Sequence, residues 1–561
     1  MVKRILNFIS KEIGGLHQAA YLLGFFAILS QLLGLIRDRL LAASFGAGQA
    51  LDIYYAAFRI PDFIFITVGS MVSVSVLIPF LMNKVKESPE EGRKFIGSIF
   101  LFFFLLIVLI SGIAFFFVPE LSKILFPGFT PDQLDQVESL TKVLLLSPIF
   151  LGLSNILGTL TQTYKRFFLY ALSPILYNLS IISGIIFIYP KFGLVGLAYG
   201  VILGAFLHFF IQIPFIVEHG LLPQYADLKF NFKEIWKVLR VSIPRTFTLG
   251  SDNISFIFLV SLASLMTSGS IAVFNFSYNL ETVPLSIIGI SYSLAVFPIL
   301  IKYFSSGEID KFRDETIISA KHIIFWSIPF STLFIVLRAQ IVRTILGAGQ
   351  FSWADTELTA AALSLFAFSI VFQNLTLLFV RAYYAAGNTR KPFIAKFINA
   401  IATVLLGYLF MLMYQSFPWF KNTLEILLRG QIVPGGIVLA LPLGWSIGEL
   451  LNTASLWILF EKDFKKFSAP VLKTAREVIL ASGIMGVVSY LSLNLFNNVF
   501  NLETTLGIFS QGLISGILGI LVGIAVLILL KNKELADVWE TIKNKISPIK
   551  VIPPGPRGLS Q

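Results

Sequence analysis

Long apolar runs separated by short polar segments follow one another along almost the whole chain. A helix needs about 20 mostly apolar residues to cross a bilayer, and fourteen segments reach that length. We therefore predict an all-α, polytopic membrane protein with about fourteen transmembrane spans, numbered 1 to 14 in chain order. The predicted spans cover residues 18–44, 50–82, 95–118, 136–163, 168–189, 192–217, 238–265, 270–301, 317–338, 355–386, 392–414, 434–460, 475–496 and 507–530.

The composition supports this class of protein. Of 561 residues, 56% are hydrophobic and only 13% are charged, whereas an ordinary soluble domain is about 25% charged. Too few polar side chains remain to cover a soluble fold, which excludes a soluble enzyme, a disordered protein and a fibrous protein. The absence of cysteine excludes disulfides, thiolate metal sites and cysteine nucleophiles, and four histidines leave little for a histidine-based metal centre.

The net charge of +12 is better explained by membrane topology than by nucleic-acid binding, because Lys and Arg collect in cytoplasmic loops. If successive loops alternate between the two sides, one side carries most of the 43 basic residues. The loops of the other side carry only Arg39, Lys123, Lys191, Arg338, Arg343, Lys421 and Arg429. This asymmetry places both termini in the cytoplasm and requires an even number of spans.

Both ends of the chain differ from the spans. Within residues 1–17, apolar side chains recur on one helical face, which predicts an amphipathic helix lying in the membrane interface. No short apolar core followed by a small-residue cleavage site is present, so we do not expect a signal peptide. Residues 531–561 are polar and form a predicted cytoplasmic tail, and we expect its IPPGPRGLSQ end to be disordered.

The chain also contains an internal repeat. Pro79 at the end of span 2 and Pro298 at the end of span 8 are 219 positions apart, and so are Tyr164 and Tyr383 at the ends of spans 4 and 10. Matches in the same order at a constant separation indicate a duplication. Each copy holds six spans, so the copies share one orientation and are related by a pseudo-twofold axis along the membrane normal.

The duplication predicts two lobes that can enclose a central cavity. Residues 18–219 form the N-terminal lobe with spans 1–6, and residues 236–461 form the C-terminal lobe with spans 7–12. Residues 473–530 hold spans 13 and 14, which lie outside the duplication. Rocking of the lobes would expose the cavity first to one side of the membrane and then to the other.

Ionisable residues inside the spans require an explanation, because one at a helix centre costs about 2.5–3.5 kcal/mol on insertion. Arg37 in span 1 and Arg59 in span 2 lie where a cavity between the lobes would form. A guanidinium suits a phosphate or carboxylate, since its planar donors match two oxygens at once. Four other residues are interpreted as interfacial anchors or interhelical ion pairs, with the lysines reaching the membrane surface: Arg39, Asp62, Lys142 and Lys396.

Two acids, Asp252 in span 7 and Glu449 in span 12, have no obvious partner in the sequence. They could form a cation site or a proton site, or each could belong to a buried ion pair with a neighbouring basic residue. Known catalytic motifs are missing. No GxxxxGK[ST] or HExxH occurs, and no Ser/His/Asp set is visible, so we expect neither direct ATP hydrolysis nor another enzymatic activity.

The segment LLGLIRDRLLAASFGAGQALDIYYAAFRIPDF (32–63) resembles the amino-terminal signature of the MurJ (MviN) family of lipid II flippases. The similarity continues through 262–284, 295–300 and 384–392. The family belongs to the MOP superfamily, together with multidrug exporters and polysaccharide-unit flippases. The resemblance implies a protein of the bacterial inner membrane that moves a lipid-linked peptidoglycan precursor to the outer leaflet by alternating access.

The resemblance also implies a set of substrate-binding residues. The LGxxRD motif corresponds to Arg37 and Asp38, and the GAGxxxD motif corresponds to Asp52. Three places where the family usually has arginine carry other residues here, namely Gln31, Phe65 and Asn279. Arg59 on the neighbouring span is a candidate substitute for the missing cations. The predicted substrate-binding set is therefore Arg37, Asp38, Asp52, Arg59, Gln31 and Asn279.

The resemblance further implies a hydrophobic groove for the lipid tail at spans 13 and 14. Some family members are sodium-linked through spans 7, 11 and 12, where Asp252, Asn399 and Glu449 are the candidates here. No other cofactor is expected, and a proton is the alternative coupling ion.

The partners implied are an undecaprenyl-pyrophosphate-linked substrate and membrane lipid. We expect a monomer and consider cell-wall synthesis enzymes as possible associates. A flippase of another polyprenyl-linked oligosaccharide, or a cation-coupled drug exporter of the same superfamily, is the alternative function. A membrane enzyme is disfavoured because the longest external loop, 415–433, offers only Glu425 as an acid. A non-enzymatic scaffold for wall synthesis stays open.

Overall fold

A computed structural model describes residues 16–72, 74–218, 229–427 and 435–546. These residues form helices and short connections, and no β-strand occurs within the described ranges. The all-α prediction is therefore confirmed. The predicted interfacial helix, residues 1–17, lies almost entirely outside the described residues, as does the IPPGPRGLSQ end of the tail.

Long helices take the places of the predicted spans and are labelled here by span number. They are α1 (Leu16–Phe45), α2a (Gln49–Ala57), α2b (Arg59–Thr67), α2c (Val74–Glu87), α3 (Pro89–Leu125), α4 (Pro131–Thr163), α5 (Phe167–Phe192), α6 (Leu194–Glu218), α7 (Phe232–Ser264), α8 (Ser270–Ser305), α9 (Ile309–Val336), α10 (Trp353–Ala385), α11 (Arg390–Ser416), α12 (Gly436–Phe464), α13 (Ser468–Asn498) and α14 (Thr505–Leu529). Three shorter helices lie between or after them: Arg338–Leu346, Pro418–Leu427 and Lys533–Ile546.

Eleven of these helices, α3 to α6 and α8 to α14, are long and apolar enough to cross a membrane within the described part of the chain. The three other predicted spans correspond to α1, to the broken helix α2 and to α7. All three of these helices carry ionisable residues: Arg37, Asp52 and Asp252 are examples. The total of fourteen spans and the lobe boundaries stay predictions.

Polar side chains and proline define where several helices begin. Ser88 accepts a hydrogen bond from the Glu91 amide just before Pro89 starts α3. Thr130 and Gln133 form a capping box at the start of α4, with each side chain bonded to the other's backbone amide. Such caps satisfy amides that have no partner inside the helix, so they fix the first turn. The polar turns between spans therefore set where the membrane helices begin.

Helices α2 and α8, which the sequence repeat pairs, are both irregular ahead of their matching prolines. In α2 a 3₁₀ turn, Gly69–Val72, precedes the segment that contains Pro79. In α8 a π-helical segment, Leu285–Ile290, follows Pro284 and precedes Pro298. Proline removes a backbone donor and clashes with the preceding turn, which explains the break in α8.

Small residues allow the helices of the C-terminal part to pack closely. Gly444 of α12 faces Gly407 of α11, and a Cβ built at Gly444 would come within 2.7 Å of the Gly407 Cα. Because lipid tails are as apolar as leucine, close packing of this kind is a main source of attraction between membrane helices. The same feature joins α13 to α14, where Gly523 packs against Met485.

The polar tail contains structure that the sequence analysis did not predict. Helix Lys533–Ile546 begins directly after α14, and Asn532 accepts a hydrogen bond from the Leu535 amide at its start. The Asn532 amide group also donates to Glu477 of α13, at 2.8 Å. This contact ties the beginning of the tail to the membrane helices.

Candidate functional site

A polar cavity of about 250 Å³ lies between the two predicted lobes. The N-terminal lobe contributes side chains from α1, α2a, α2b and α5, and the C-terminal lobe contributes side chains from α7 and α8. The lining residues are Arg37, Leu41, Tyr54, Tyr55, Phe58, Arg59, Asp62, Tyr177, Ile181, Asn253, Phe256, Asn275, Tyr278 and Asn279.

Arg37 and Asp38 form a charged pair that links the lobes. The Arg37 Nε and Nη2 donate to Asp38 Oδ1 at 2.9 and 2.8 Å, and Nη1 donates to the Asn178 side chain at 3.3 Å. The other oxygen of Asp38 accepts from the Asn279 amide of α8 at 3.0 Å. Asp38 is buried, whereas 24% of the Arg37 side chain is exposed. Asp38 therefore orients Arg37, and the guanidinium keeps a face toward the cavity.

Arg59 crosses the same interface from α2b. Its Nε donates to the Tyr55 carbonyl at 2.9 Å, and its Nη2 donates to Asn275 of α8 at 3.2 Å. The guanidinium carbon lies 5.0 Å from the ring centre of Phe256 on α7. The nearest carboxylate, Asp62, is 3.9 Å away and its side chain is 43% exposed. Arg59 is thus held mainly by neutral groups, which leaves its positive charge available to a ligand.

Asp52 lies elsewhere, at the side that the charge pattern predicts to be external. It is buried, and its carboxylate accepts hydrogen bonds from the backbone amides of Gly269 at 2.5 Å and Ala272 at 2.8 Å. These amides open α8, so a carboxylate of one lobe caps a helix of the other. Asp52 therefore closes the interface and is not among the cavity-lining residues.

Two further contacts continue this closure, which we call the external seal. The Arg39 guanidinium donates to the carbonyls of Thr344 and Ile345 at 2.7 and 3.0 Å. The Gln350 amide donates to the Ala43 carbonyl at 2.9 Å. The seal thus joins α1 and α2a to the start of α8 and to the segment before α10, which includes helix Arg338–Leu346.

The other members of the predicted set are divided by the structure. Asn279 lines the cavity, and its role in substrate binding stays a prediction. Gln31 is half-buried on α1 and does not belong to the lining set in the described part of the chain. The spacing of Asn275, Tyr278 and Asn279 places them on one face of α8, a signal that was present in the sequence but was not used.

The candidate sodium residues do come together, around a lysine. The Lys396 ammonium of α11 donates to both carboxylate oxygens of Asp252 at 2.7 Å and lies 3.7 Å from Glu449. The Asn399 amide donates to Glu449 at 3.2 Å. Lys396 is only 6% exposed, so the expectation that it reaches the membrane surface is wrong. Two nearby carboxylates keep the ammonium inside, because leaving them unpaired would cost more than burying it.

This arrangement does not fit a sodium ion. The ammonium lies where a cation would meet the oxygens of Asp252 and Glu449. Among the described residues, no three His, Asp or Glu side chains are placed to hold a metal ion. Of the alternatives left open by the sequence, the structure contains the buried ion pair.

Glu281 of α8 is a further buried acid in this region. It is fully buried, and its Oε1 accepts from Gln373 at 2.6 Å and from Ser369 at 3.4 Å. Its Oε2 has no hydrogen-bond partner among the described residues. No Lys or Arg among the described residues forms an ion pair with Glu281. A carboxyl in such surroundings is expected to be neutral, because an unpaired buried charge is very costly.

A second pocket, beside span 14, is apolar. It measures about 250 Å³ and is formed by α14 together with helix Arg338–Leu346. Phe509, Gly512 and Leu513 of α14 contribute to it. No residue of α13 lines it, so the groove that the resemblance implies at spans 13 and 14 stays a prediction.

Comparison with known proteins shows which family shares this architecture. The family profile described as lipid II flippase MurJ matches residues 41–418, which is more than half of the chain. The chain belongs to the MurJ family.

Individual MurJ relatives are distant in sequence but cover most of the chain. "Probable lipid II flippase MurJ" from Buchnera aphidicola subsp. Schizaphis graminum is 27% identical over 399 residues, covering 70% of this chain and 77% of that protein. The protein of the same description from Vibrio cholerae is 25% identical over 462 residues, covering 77% of this chain and 87% of the relative.

Solved structures agree with this assignment. A structure of lipid II flippase MurJ in an inward closed conformation is similar with a TM-score of 0.72 and 26% identity, covering 92% of this chain and 99% of that chain. An inward-facing MATE family transporter of the MOP superfamily matches with a TM-score of 0.64 at 16% identity, covering 78% and 96%. The second match shows a shared fold. The MurJ and MATE architecture is therefore the fold of this protein.

Proposed function

We propose that this protein is a flippase that moves lipid II, the lipid-linked peptidoglycan precursor, from the inner to the outer leaflet of the bacterial inner membrane. Both termini would lie in the cytoplasm, and the two lobes would alternate in exposing the cavity. One observation carries the proposal most directly: Arg37 and Arg59 share a single polar cavity at the lobe interface.

Two guanidiniums in one cavity suit a pyrophosphate. Each phosphoryl group offers oxygens that a planar set of N–H donors can contact in pairs. Asp38 and Asn178 fix the direction of Arg37, while Tyr55 and Asn275 fix that of Arg59. Because these partners already hold the two cations, little side-chain entropy would be lost on binding.

The contacts of both arginines also suggest how binding connects to lobe movement. Arg37 reaches α8 through Asp38 and Asn279, and Arg59 reaches it directly through Asn275. A phosphate that draws the guanidiniums toward itself competes with these bonds between lobes. Substrate binding would then loosen the interface from inside the cavity, which is what alternating access requires.

Membrane potential would supply the direction. Outward movement of an anion is favoured by an inside-negative potential, by about 2.3 kcal/mol per net charge per 100 mV. Any protein charge that moves with the substrate would reduce the net charge that crosses, so this figure is an upper value. No sodium step is included, since Lys396 lies where the ion would bind. The substrate tail and the surrounding lipid are the expected partners of a monomeric chain, with cell-wall synthesis enzymes as possible associates.

The test is complementation of a strain depleted of its lipid II flippase. We expect the wild-type chain to restore growth, and Arg37→Ala and Arg59→Ala to fail at equal membrane abundance. Lys142→Ala is the matched control, because Lys142 also lies in a membrane helix but pairs with Glu138 outside the cavity. Absence of rescue by the wild-type chain, with insertion confirmed, would contradict the proposal. Rescue by both arginine variants would remove its physical basis.

A further inference from the structure

Helices α2b and α7 meet at a seam between the lobes, and three spaces adjoin it. The polar cavity lies on one side. A large apolar groove of about 670 Å³ lies on the other, toward lipid, and Arg59 lines both. A third, much smaller pocket of about 30 Å³ follows the seam away from the external side and shares Phe63 and Ile254 with the groove.

The large groove, called the outer groove here, is bounded by α2b, α3 and α7. Its walls include Ile60, Phe63, Ile113, Phe117, Ile254 and Phe258. Several of these side chains are about half exposed, which means that the groove opens sideways to the membrane. Along α3 it extends from Ile110 to Leu125, about 22 Å at 1.5 Å per residue. That length exceeds half of a bilayer core about 30 Å thick, so the groove covers one leaflet.

The two charged residues that line it are unusual for a lipid site. Glu120 lies near the end of α3, at the predicted external surface, and is exposed. Arg59 lies partway down the groove, ten residues from the start of α2a at Gln49, or about 15 Å, and Phe63 and Ile64 line the groove further in. A resident phospholipid would place its phosphate at the surface, beside an acid, and would run its tails past the arginine. Neither placement is favourable.

A lipid with the opposite orientation keeps its phosphate away from Glu120 and beside Arg59. Its phosphate would lie deep in the polar cavity, at Arg59 and Arg37, and its apolar chain would run outward through the seam along the outer groove. We propose that the outer groove is the path by which the polyprenyl tail of the transported lipid reaches the outer leaflet. This inference rests on the proposed function and assigns the tail to the α2b–α7 seam instead of the groove at α13 and α14.

The small pocket explains why the path is one-sided in this state. At about 30 Å³ it holds no more than about one water molecule, so the seam is nearly closed toward the cytoplasmic leaflet. The outer groove is already formed while the external seal is still shut. The tail would therefore enter its new leaflet sideways, before the headgroup is released.

The inference is tested by filling the groove with a larger side chain. Ile113→Trp places an indole in the outer groove, whereas Phe116→Trp changes a lipid-facing residue of the same helix that does not line it. Leu513→Trp fills the pocket at α14 in the same way. Each purified variant is reconstituted in liposomes, and transport is measured for lipid II with its full undecaprenyl tail and for an analogue with a short, water-soluble tail.

We expect Ile113→Trp to slow transport of the full-length lipid about tenfold, which corresponds to about 1.4 kcal/mol, and to leave the short-tailed analogue unaffected. Phe116→Trp and Leu513→Trp should behave like wild type with both substrates. Inhibition by Leu513→Trp but not by Ile113→Trp would overturn the inference, as would equal inhibition of both substrates by Ile113→Trp. A wild-type protein that moves neither substrate would instead contradict the proposed function.

Discussion

Lys396 and Asp252 form a double hydrogen bond inside the membrane-spanning region, with 2.7 Å from the ammonium to each carboxylate oxygen. The pair joins α11 to α7, and its two residues are 144 positions apart in the sequence. Glu449 of α12 lies on the other side of the ammonium. A positive charge built into the chain thus holds together three helices of the C-terminal lobe.

Replacing this lysine should destabilise the protein. We expect Lys396→Met to lower stability by about 3 kcal/mol, because removing one partner leaves buried Glu449 without a cation. The Asp252 side chain is about a third exposed, so water can solvate its carboxylate when the lysine is gone. The expected loss is therefore near the low end of the roughly 3–5 kcal/mol typical of a broken buried ion pair. Thermal unfolding in detergent measures the change. The double variant Lys396→Met with Glu449→Gln should recover much of the loss, and no recovery would contradict this account.

Transport should not depend on sodium. With Lys396 in place, no cluster of acidic oxygens among the described residues is left for the ion, so replacing external and internal Na⁺ by K⁺ should leave the initial rate within about twofold, less than about 0.5 kcal/mol. The measurement uses proteoliposomes at a fixed membrane potential. A steep fall in rate without sodium would show that the ion binds at a place other than these residues.

Weakening the external seal should expose the cavity from outside. Asp52→Ala removes the acceptor for two amides of α8, and each lost hydrogen bond to a charged group is worth about 1.5–3 kcal/mol. Because the chain has no cysteine, a single Asn253→Cys change provides a label site in the cavity without background. We expect faster reaction with an external, membrane-impermeant maleimide in the Asp52→Ala background.

The matched control for this labelling is Asp132→Ala. Asp132 is an exposed acid in the first turn of α4, on the same predicted side, and lies outside the seal. Labelling in that background should equal labelling of the otherwise wild-type chain. If both aspartate variants accelerate labelling equally, Asp52 has no special role in closing the interface.

Glu281 should tolerate replacement by glutamine, which has the same shape and no charge. Since its carboxyl is fully buried without an ion pair among the described residues, Glu281→Gln should change stability by less than about 1 kcal/mol and keep transport. Glu281→Ala should be worse, because Gln373 and Ser369 would lose an acceptor in the protein interior. Thermal unfolding and complementation of both variants test whether the glutamine variant is better tolerated than the alanine variant. A complete loss of transport in a stable Glu281→Gln protein would show that a charge at this position is needed.

Much of the fold could be predicted from apolar runs alone, because the bilayer fixes how long a spanning helix must be. The predicted span 95–118 lies within α3, and 355–386 nearly coincides with α10. The breaks within the membrane helices were harder to predict. The break in α8 at Pro284, and the π-helical segment that follows it, were not predicted.

The candidate site was predictable where it contains charged residues, because a charge inside a membrane helix is costly and therefore indicates a function. Arg37 and Arg59 were identified in this way, and both line the cavity. The tyrosines were not identified, since Tyr54 and Tyr55 are equally at home in a membrane interface and nothing in a single sequence tells the two places apart.

Two assignments depended on partners that the sequence does not reveal. Asp52 bonds to backbone amides 217 and 220 positions away, and a backbone amide has no sequence signature. For Lys396, position along α11 gave an estimate of depth, but the direction of its side chain was set by Asp252 on a different helix. Long-range pairing of this kind can be known only once the helices are assembled.

The capping of α8 by Asp52 has a consequence for how the external side opens. When the lobes separate there, the amides of Gly269 and Ala272 lose their acceptor at the same moment as the carboxylate loses its donors. In a dry interface these groups would remain unsatisfied, so separation and the entry of water must occur together. Hydration of a few backbone groups, and not the bending of a long helix, would then set the pace of outward release.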